Sequence, residues 1–428
     1  MLGTLMLVLF VCLFATVPIA LSLGISTLAV FATEFPSLPM SNNLAQAMIT
    51  SADSFPLMAI PFFMLVGTLM EKTGIAKRLV NLASILTGDT PGGLGMAAIV
   101  ASMFFAAISG SGPATAAAIG GIMLPSMIAQ GYSRSYSVGI VSGASIIGPI
   151  IPPSIPMIMY GVTVGVSVTK MFTAGFVPGF LLGGGLCLYN YMISKKRGYR
   201  GNANVMTREE KIKEVKGAIP AILMPIIVLG GIYGGIFTPT ECSVVGVVYT
   251  LLVGTFVYHE LTLEKLKDSL VEAAVTSATI MIIFGPATTF GRLLTMGKIP
   301  ALVTNAMLSF SSNKYVIMFL INVMLLIIGM FIDTNSSIVL FAPLFVPILT
   351  SLGFDIYYVG VIMVVNLCIG MLTPPLGANL FVAMRIGGIT LEEALKEAMP
   401  VILVEILILA IMIMCPWLIT FLPNLLMG

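Results

Sequence analysis

The chain contains long stretches that carry almost no charge. Cys242–Tyr258 and Val316–Phe331 contain no charged residue, and Val401–Ile413 contains one, Glu405. Charged residues make up 9% and hydrophobic residues 58% of the 428 residues, whereas soluble proteins carry about 25% charged residues. Several stretches continue into apolar neighbours and approach the ~20 residues that cross a bilayer. The sequence therefore predicts an all-α polytopic membrane protein that is embedded in a lipid bilayer.

Basic residues are concentrated in one hydrophilic segment near the middle of the chain. Ser194–Gly217 contains eight of the twenty Lys and Arg residues. By the positive-inside rule, such a segment stays on the cytoplasmic side of the membrane. We therefore predict a cytoplasmic linker at residues 195–217. We interpret its charge as a solvated surface and expect no nucleic-acid partner.

The linker separates two halves, residues 1–194 and 218–428, that repeat one pattern. An offset of 222 residues pairs Gly148 with Gly370 and Pro152 with Pro374. Matching Gly- and Pro-interrupted segments in two halves are typical of secondary transporters. If each half crosses the membrane an odd number of times, the halves are inverted and both termini lie outside. We predict two inverted repeats, with about 11 transmembrane helices plus two re-entrant hairpins.

Two adjacent prolines interrupt an apolar segment in each half. The sequences are GPIIPPSIP from Gly148 and GMLTPPLGA from Gly370, within broken helices predicted at about 138–162 and 359–384. Proline has no backbone N–H, so it leaves nearby carbonyl groups without their helical hydrogen bonds. Non-helical backbone of this kind is tolerated at membrane depth only where protein surrounds it or where it lines a cavity. Simple proline kinks are the alternative, but two breaks in register favour Na⁺ sites. The predicted ligands here are Gly148, Pro149, Pro152, Gly370, Thr373 and Pro374.

A segment with a polar centre precedes each break. The predicted re-entrant hairpins lie at about 104–125, with the centre SGSGPAT, and at about 327–347, with the centre DTNSS. The apolar arms are about half a membrane span long, so each tip is expected to meet its break near the midplane. The tips add Na⁺ ligands at Ser109, Ser111, Gly112, Thr115, Asp333, Thr334 and Asn335.

Few ionisable residues lie within the apolar segments. Asp333 is interpreted as a sodium ligand rather than one half of a salt bridge, because an intramembrane carboxylate costs at least ~2.5 kcal/mol. Arg292 and Arg385 are weaker candidates, either for a substrate carboxylate or for the lipid headgroups. Glu405 is expected to contact a partner chain or another scaffold helix.

Several motifs resemble the large membrane subunit of tripartite ATP-independent periplasmic transporters. They cover essentially the whole chain in order and are SADSFPLMAIPFFMLVG, PGGLGMAAIVASMFFAAISGSGPATAAA, GPIIPPSIPMIMYG, GIFTPTE and GMLTPPLGANL. The resemblance implies an elevator-type transport domain on a scaffold, two or more coupling Na⁺ ions, and uptake of an organic acid anion across the bacterial inner membrane. Family substrates include C4-dicarboxylates, keto acids and sialic acids, and we favour a sialic-acid type.

The resemblance also implies partners and a substrate pocket. The partners are a small four-helix membrane subunit, expected here as a separate chain, and a periplasmic substrate-binding protein. The substrate pocket is expected between the hairpin tips, at Ser154, Thr163, Ser336 and Asn379.

Other functions remain as alternatives. A stand-alone Na⁺/carboxylate transporter of the wider ion-transporter superfamily is the nearest. A channel fits less well because filters usually need oligomeric rings. An intramembrane enzyme is not expected, because the single histidine, His259, is remote in sequence from SGSG and no second membrane aspartate accompanies Asp333.

Overall fold

The structure, a computed structural model, describes residues 1–34, 45–46, 49–51, 53–88, 90–201, 207–311 and 313–427. These residues form helices and connecting turns, with no β-strand among them. The helices of the first half are α1 (Leu2–Phe14), α2 (Ile19–Glu34), α3 (Ala59–Lys72), α4 (Ile75–Thr87), α5 (Gly93–Ser109), α6 (Gly112–Ala129), α7 (Arg134–Ser145), α8 (Ile155–Val164) and α9 (Val168–Arg197).

The second half follows the same order. Its helices are α10 (Arg208–Tyr233), α11 (Pro239–Leu252), α12 (Leu263–Met281), α13 (Phe284–Met296), α14 (Ile299–Phe310), α15 (Lys314–Phe331), α16 (Thr334–Ser351), α17 (Ile356–Gly370), α18 (Ala378–Gly387), α19 (Leu391–Met414) and α20 (Trp417–Met427). Within the described ranges, nine helical segments are long and apolar enough to cross a membrane. Shorter apolar helices accompany them, so the count of about 11 crossings stays a prediction.

Equivalent helices begin at the same offset in the two halves. α6 and α16 each contain 18 residues and begin 222 positions apart, at Gly112 and Thr334. α7 and α17 begin at Arg134 and Ile356, again 222 positions apart. The repeat seen in the sequence therefore extends to the start positions of these two pairs of helices. The relative orientation of the halves stays a prediction.

The interrupted segments are longer than the sequence suggested. Each hairpin is a pair of full helices, α5–α6 and α15–α16, because Pro125 and Pro347 lie inside their helices and do not end them. The broken helices extend from 134 to 164 and from 356 to 387.

The loop between the two halves is shorter than the predicted linker, residues 195–217. α9 continues to Arg197, and α10 already begins at Arg208. Thr207 and Glu210 form a capping box at that start, and such a box satisfies two free backbone donors of the first turn. Most basic residues of the segment therefore belong to helix ends. Residues 202–206 of the predicted linker lie outside the described residues.

The helices form two groups that contact each other. α5–α9 pack with α15–α20, and α1–α4 pack with α10–α13, while α4 also packs on α5 and α13 on α16 across the boundary. Within the first group the two halves are interlocked: α8 packs on α16, and α18 packs on α6 and α7. The Tyr160 hydroxyl of α8 donates a hydrogen bond to the Ile356 carbonyl at the start of α17, at 2.7 Å. The second arm of each broken helix therefore contacts the hairpin of the opposite half.

Gly360 of α17 allows the Tyr160 ring of α8 to pack directly against the α17 backbone. A Cβ atom built on Gly360 would lie 2.5 Å from Cε1 of the Tyr160 ring. We expect Gly360→Ala to lower the free energy of unfolding by about 1–3 kcal/mol, because overpacking a rigid ring forces the helices apart. Thermal unfolding of the purified chain measures this effect.

The matched control is Gly184→Ala in α9, where an added Cβ meets nothing within 4 Å. Its stability should be unchanged or higher by ~0.5–1 kcal/mol, because alanine favours helix over glycine. Equal effects of the two substitutions would contradict the contact between α8 and α17.

Candidate functional site

The tip of the first hairpin lies against the first helix break. Ser109 Oγ is 3.2 Å from Thr115 Oγ1, and Thr115 Oγ1 donates a hydrogen bond to the Ser111 carbonyl at 2.8 Å. A Cβ atom built on Gly148 would lie 2.6 Å from Thr115 Oγ1 and 2.7 Å from the Ser111 carbonyl oxygen. The close approach therefore requires glycine at this position. The structure brings together four of the residues that the sequence suggested.

The first break is a stretch of turns between two helix ends. The Gly148 N–H bonds the Ser145 carbonyl at 3.1 Å, which is a turn rather than a helical bond. Helix α8 starts at a cap, where Ser154 Oγ accepts from the Met157 N–H at 3.2 Å. The Ser154 hydroxyl also donates to the Pro149 carbonyl, and the peptide bond between Pro152 and Pro153 is cis. Ser154 thus stabilises the break, although the sequence suggested a substrate contact.

The second hairpin and break also touch. A Cβ atom built on Gly370 would lie 2.6 Å from Gly329 Cα, and the Leu376 N–H bonds the Met330 carbonyl at 3.1 Å. Thr334 Oγ1 lies 3.0 Å from the Met371 sulfur. The Thr373 hydroxyl donates to Ile369 O at 3.3 Å, and the Pro374–Pro375 bond is cis. The Thr334 hydroxyl of the second tip therefore contacts a sulfur atom, whereas the Thr115 hydroxyl of the first tip contacts a carbonyl oxygen.

Asp333 is the N-cap of α16. Its carboxylate accepts the Ser336 N–H at 3.1 Å and also the Ser336 hydroxyl. Asp333 is half-buried and is not a member of the ion pairs found among the described residues. The neighbouring Asn335 has a buried side-chain oxygen without a hydrogen-bond partner. Ser336, suggested as a substrate contact, instead holds the Asp333 carboxylate.

Asn379 connects the second half to the first hairpin. The residue is fully buried near the start of α18, and neither side-chain polar atom has a hydrogen-bond partner. A Cβ atom built on Gly112 would lie 2.6 Å from Asn379 Nδ2. This contact arises because α18 packs on α6. Asn379 therefore lies with the ion-site candidates rather than in a separate substrate pocket.

The atoms at the first tip fit a hard monovalent cation. Among the described residues, no group of three or more His, Cys, Asp or Glu side chains forms a metal site. The available donors are instead buried hydroxyl, amide and carbonyl oxygens, from Ser109, Ser111, Thr115 and Asn379. Unwound backbone carbonyls at half-helix ends are the groups that coordinate Na⁺ in secondary transporters. At the second tip, the Asp333 carboxylate is the corresponding oxygen donor.

A cavity lies between the two groups of helices. It has a volume of about 680 Å³. α8 contributes Thr163, α16 contributes Val339, and α13 contributes Thr288, Arg292 and Thr295. Thr163 is the one predicted substrate residue on this wall, and its buried hydroxyl has no hydrogen-bond partner. The cavity is the place where an anion can meet a guanidinium and several hydroxyls.

The polar wall formed by α13 was not predicted from the sequence. Thr288, Arg292 and Thr295 follow a spacing of i, i+4 and i+7, which places them on one face of a helix. That periodicity was the available signal for a polar wall. The other arginine candidate, Arg385, is exposed near the end of α18 and does not line the cavity.

The architecture is that of a polytopic helical transporter. The chain resembles the YdaH transporter of Alcanivorax borkumensis, with a TM-score of 0.59 and 16% identity over 89% of each chain. It also resembles MtrF of Neisseria gonorrhoeae, with a TM-score of 0.57 and 14% identity over 90% of this chain and 85% of that one. At these identities the likeness concerns the fold alone.

The sequence defines the family more narrowly. Residues 6–418 match the model of the tripartite ATP-independent periplasmic transporter, DctM component, and the chain belongs to this family. It is 44% identical to an isethionate TRAP transporter permease protein of Oleidesulfovibrio alaskensis, over 92% of this chain. The match spans 62% of that relative's length.

Two relatives from Vibrio cholerae match over nearly their whole length. The chain is 36% identical to a sialic acid TRAP transporter large permease protein over 97% of both chains. It is also 36% identical to a C4-dicarboxylate TRAP transporter large permease protein, over 96% of this chain and 95% of that one. The relatives thus support a multi-pass transporter permease.

Measurements of stability can separate two roles of Asp333, that of a helix cap and that of a charged group. We expect Asp333→Ala to lower the free energy of unfolding by about 1 kcal/mol, because it removes the N-cap of α16. Asp333→Asn should leave stability nearly unchanged, because asparagine caps a helix as well as aspartate. Thermal unfolding of both variants measures the difference, and an equal loss in both would contradict the capping role.

Proposed function

We propose that this chain is the membrane-spanning permease of a Na⁺-driven uptake system for an organic acid anion. It works in the bacterial inner membrane with a small four-helix membrane subunit and a periplasmic binding protein that delivers the substrate. The observation that carries the proposal is the contact between each hairpin tip and a helix break, in a chain of the DctM family. Two or more Na⁺ ions are bound at these contacts.

The first ion site uses the Ser111 carbonyl, the hydroxyls of Ser109 and Thr115, and the amide of Asn379. The second uses the Asp333 carboxylate with Asn335 and the backbone after Gly370. When bound, Na⁺ supplies the positive charge that links the ion gradient to substrate occupancy. Because the first site joins the hairpin of one half to Asn379 of the other, ion binding there holds the two halves in one rigid body.

The transport step is a movement of that body against the second helix group. The supporting observation is the cavity, whose walls come from α13 of one group and from α8 and α16 of the other. A substrate held between a fixed and a mobile wall is carried across when the mobile wall moves, as in an elevator. Inverted repeats provide the two equivalent end positions.

The wall chemistry favours a hydroxylated monoanion. Arg292 is the one cationic side chain on the described cavity wall, and hydroxyls of Thr163, Thr288 and Thr295 accompany it. A guanidinium binds one carboxylate or sulfonate through paired hydrogen bonds, and a dicarboxylate would leave its second charge without a partner. Isethionate and sialic acids, named for two relatives, each combine one acid group with hydroxyls.

A stand-alone Na⁺/carboxylate transporter is the second candidate. The observation that favours this candidate is the fold that the chain shares with the YdaH and MtrF proteins. The two candidates differ in their dependence on the binding protein. Uptake that proceeds fully without a periplasmic binding protein would favour the second candidate.

Reconstituted uptake tests sodium coupling directly. We expect proteoliposomes with all three components to take up isethionate or N-acetylneuraminate when Na⁺ is imposed outside, and not when K⁺ replaces it. Asp333→Asn should abolish Na⁺-driven uptake while the variant stays folded, because it removes charge and keeps the cap. Undiminished uptake by Asp333→Asn with unchanged sodium dependence would contradict the assigned ion site.

Arg292 tests the substrate class. We expect Arg292→Gln to reduce uptake about tenfold or more, because a charge-assisted bond contributes roughly 1.5–3 kcal/mol. Lys298→Gln, which removes an exposed cation beyond the end of α13, is the matched control and should transport normally. Preferred uptake of succinate over both monoanions would overturn the choice of substrate class.

A further inference from the structure

The side-chain carboxyl group of Glu405 has no hydrogen-bond partner among the described residues. It lies in the middle of α19, its side chain is 0% exposed, and neither carboxyl oxygen has a hydrogen-bond partner. A buried carboxylate in apolar surroundings costs several kcal/mol unless a cation or hydrogen-bond donors compensate it. The proposed transport mechanism assigns no role to this residue. A contact of Glu405 with a partner chain or another scaffold helix, as the sequence suggested, stays a prediction.

The packing around Glu405 is close because its neighbour is glycine. A Cβ atom built on Gly143 of α7 would lie 2.3 Å from Val401 Cγ1 and 3.2 Å from Glu405 Oε1. One turn earlier, a Cβ atom on Gly139 would lie 2.9 Å from the Glu397 carbonyl oxygen. α19 therefore lies directly on the backbone of α7. The carboxyl group is held in a tight apolar contact between helices.

No cation compensates the carboxyl group among the described residues. α19 packs on α7, α9, α17 and α18, and Cys368 of α17 is a titratable neighbour of Glu405. Arg197 of α9 is paired with Glu397, which lies eight residues, or about 12 Å along the helix, from Glu405.

Three other titratable groups on these four helices have partners of their own or are exposed. The Tyr136 hydroxyl of α7 donates to Asn190, and that of Tyr358 in α17 donates to Ile413. Arg385 of α18 is exposed. The remaining groups are Arg134 of α7; Lys170, Cys187, Tyr189, Tyr191, Lys195 and Lys196 of α9; and Tyr357 of α17.

We propose that Glu405 is a proton-binding site, and that its carboxyl group carries a proton in this conformation at neutral pH. A neutral carboxylic acid removes the charge that the apolar contact between α7 and α19 does not compensate. The ligand class is the proton rather than Na⁺, because Gly143, which the structure places against the carboxyl group, has no side-chain oxygen to complete a cation site. The site joins α19 to the arm that leads into the first helix break.

The proton has a defined effect on stability. An unfolded chain in water releases it above about pH 4.3, whereas the folded chain retains it. The folded state therefore binds more protons, so stability falls as the pH rises through the weakly acidic and neutral range. Glutamine keeps the shape of the neutral acid and has no proton to lose. Glu405→Gln should accordingly remove this part of the pH dependence.

Infrared spectroscopy of the full chain in lipid nanodiscs tests the proposal without measuring transport. At neutral pH we expect the C=O stretching band of a protonated carboxylic acid, with its shift in D₂O, and we expect Glu405→Gln to abolish it. Glu392→Gln is the matched control, because it removes an exposed carboxylate from the same helix. That control should retain the band.

Thermal unfolding between pH 5 and pH 8 supplies an independent measurement. We expect Glu405→Gln to have a Tm at least equal to that of the wild type at pH 8, with a smaller loss of Tm from pH 5 to pH 8. Absence of the band in the wild type, its disappearance on adding Na⁺, or a Tm of Glu405→Gln far below the wild type at pH 8 would overturn the proposal. These readouts stay valid even if Na⁺-driven uptake fails.

Discussion

The contact between a hairpin tip and a helix break is the interaction on which the rest of the structure depends. A break at membrane depth exposes backbone polar groups, and each one costs several kcal/mol in hydrocarbon. Here each break lies against a hairpin, at Gly148 beside Ser111 and at Gly370 beside Gly329. Neither approach leaves room for a side chain. The protein can therefore keep non-helical backbone inside the membrane, and the proposed cation sites use the oxygens at these contacts.

The two halves contribute jointly to the first hairpin tip and to the cavity. Asn379 of the second half lies against Gly112 of the first hairpin, and the arm α8 of the first half packs on α16. The same arm carries Thr163 to the cavity wall, opposite Arg292 of α13. An ion bound at a hairpin tip is thus connected, through rigid helices, to the wall that contacts the substrate. This arrangement gives a physical route by which ion binding and substrate binding can affect each other.

Much of this organisation could be predicted from sequence, because proline, glycine and apolar length are local signals. The breaks, the hairpin tips and the repeat offset follow from them, whereas the family was indicated by the resemblance of longer motifs. The packing of each broken-helix arm on the hairpin of the opposite half could not be predicted. The repeat shows which break follows which hairpin in the sequence, but it contains no information about contacts between the halves. The contact between Asn379 and Gly112 was not predicted for that reason. Hairpin ends were misjudged because Pro125 and Pro347 are accommodated inside helices.

The most direct test is hydrogen exchange of the purified chain in Na⁺ compared with K⁺ at equal ionic strength. If cations bind where tips meet breaks, Na⁺ will slow amide exchange in Gly148–Ile151 and Gly370–Thr373, and in both hairpin tips, while α1 and α2 exchange equally in the two salts. Identical exchange of these segments in Na⁺ and K⁺ would contradict the account.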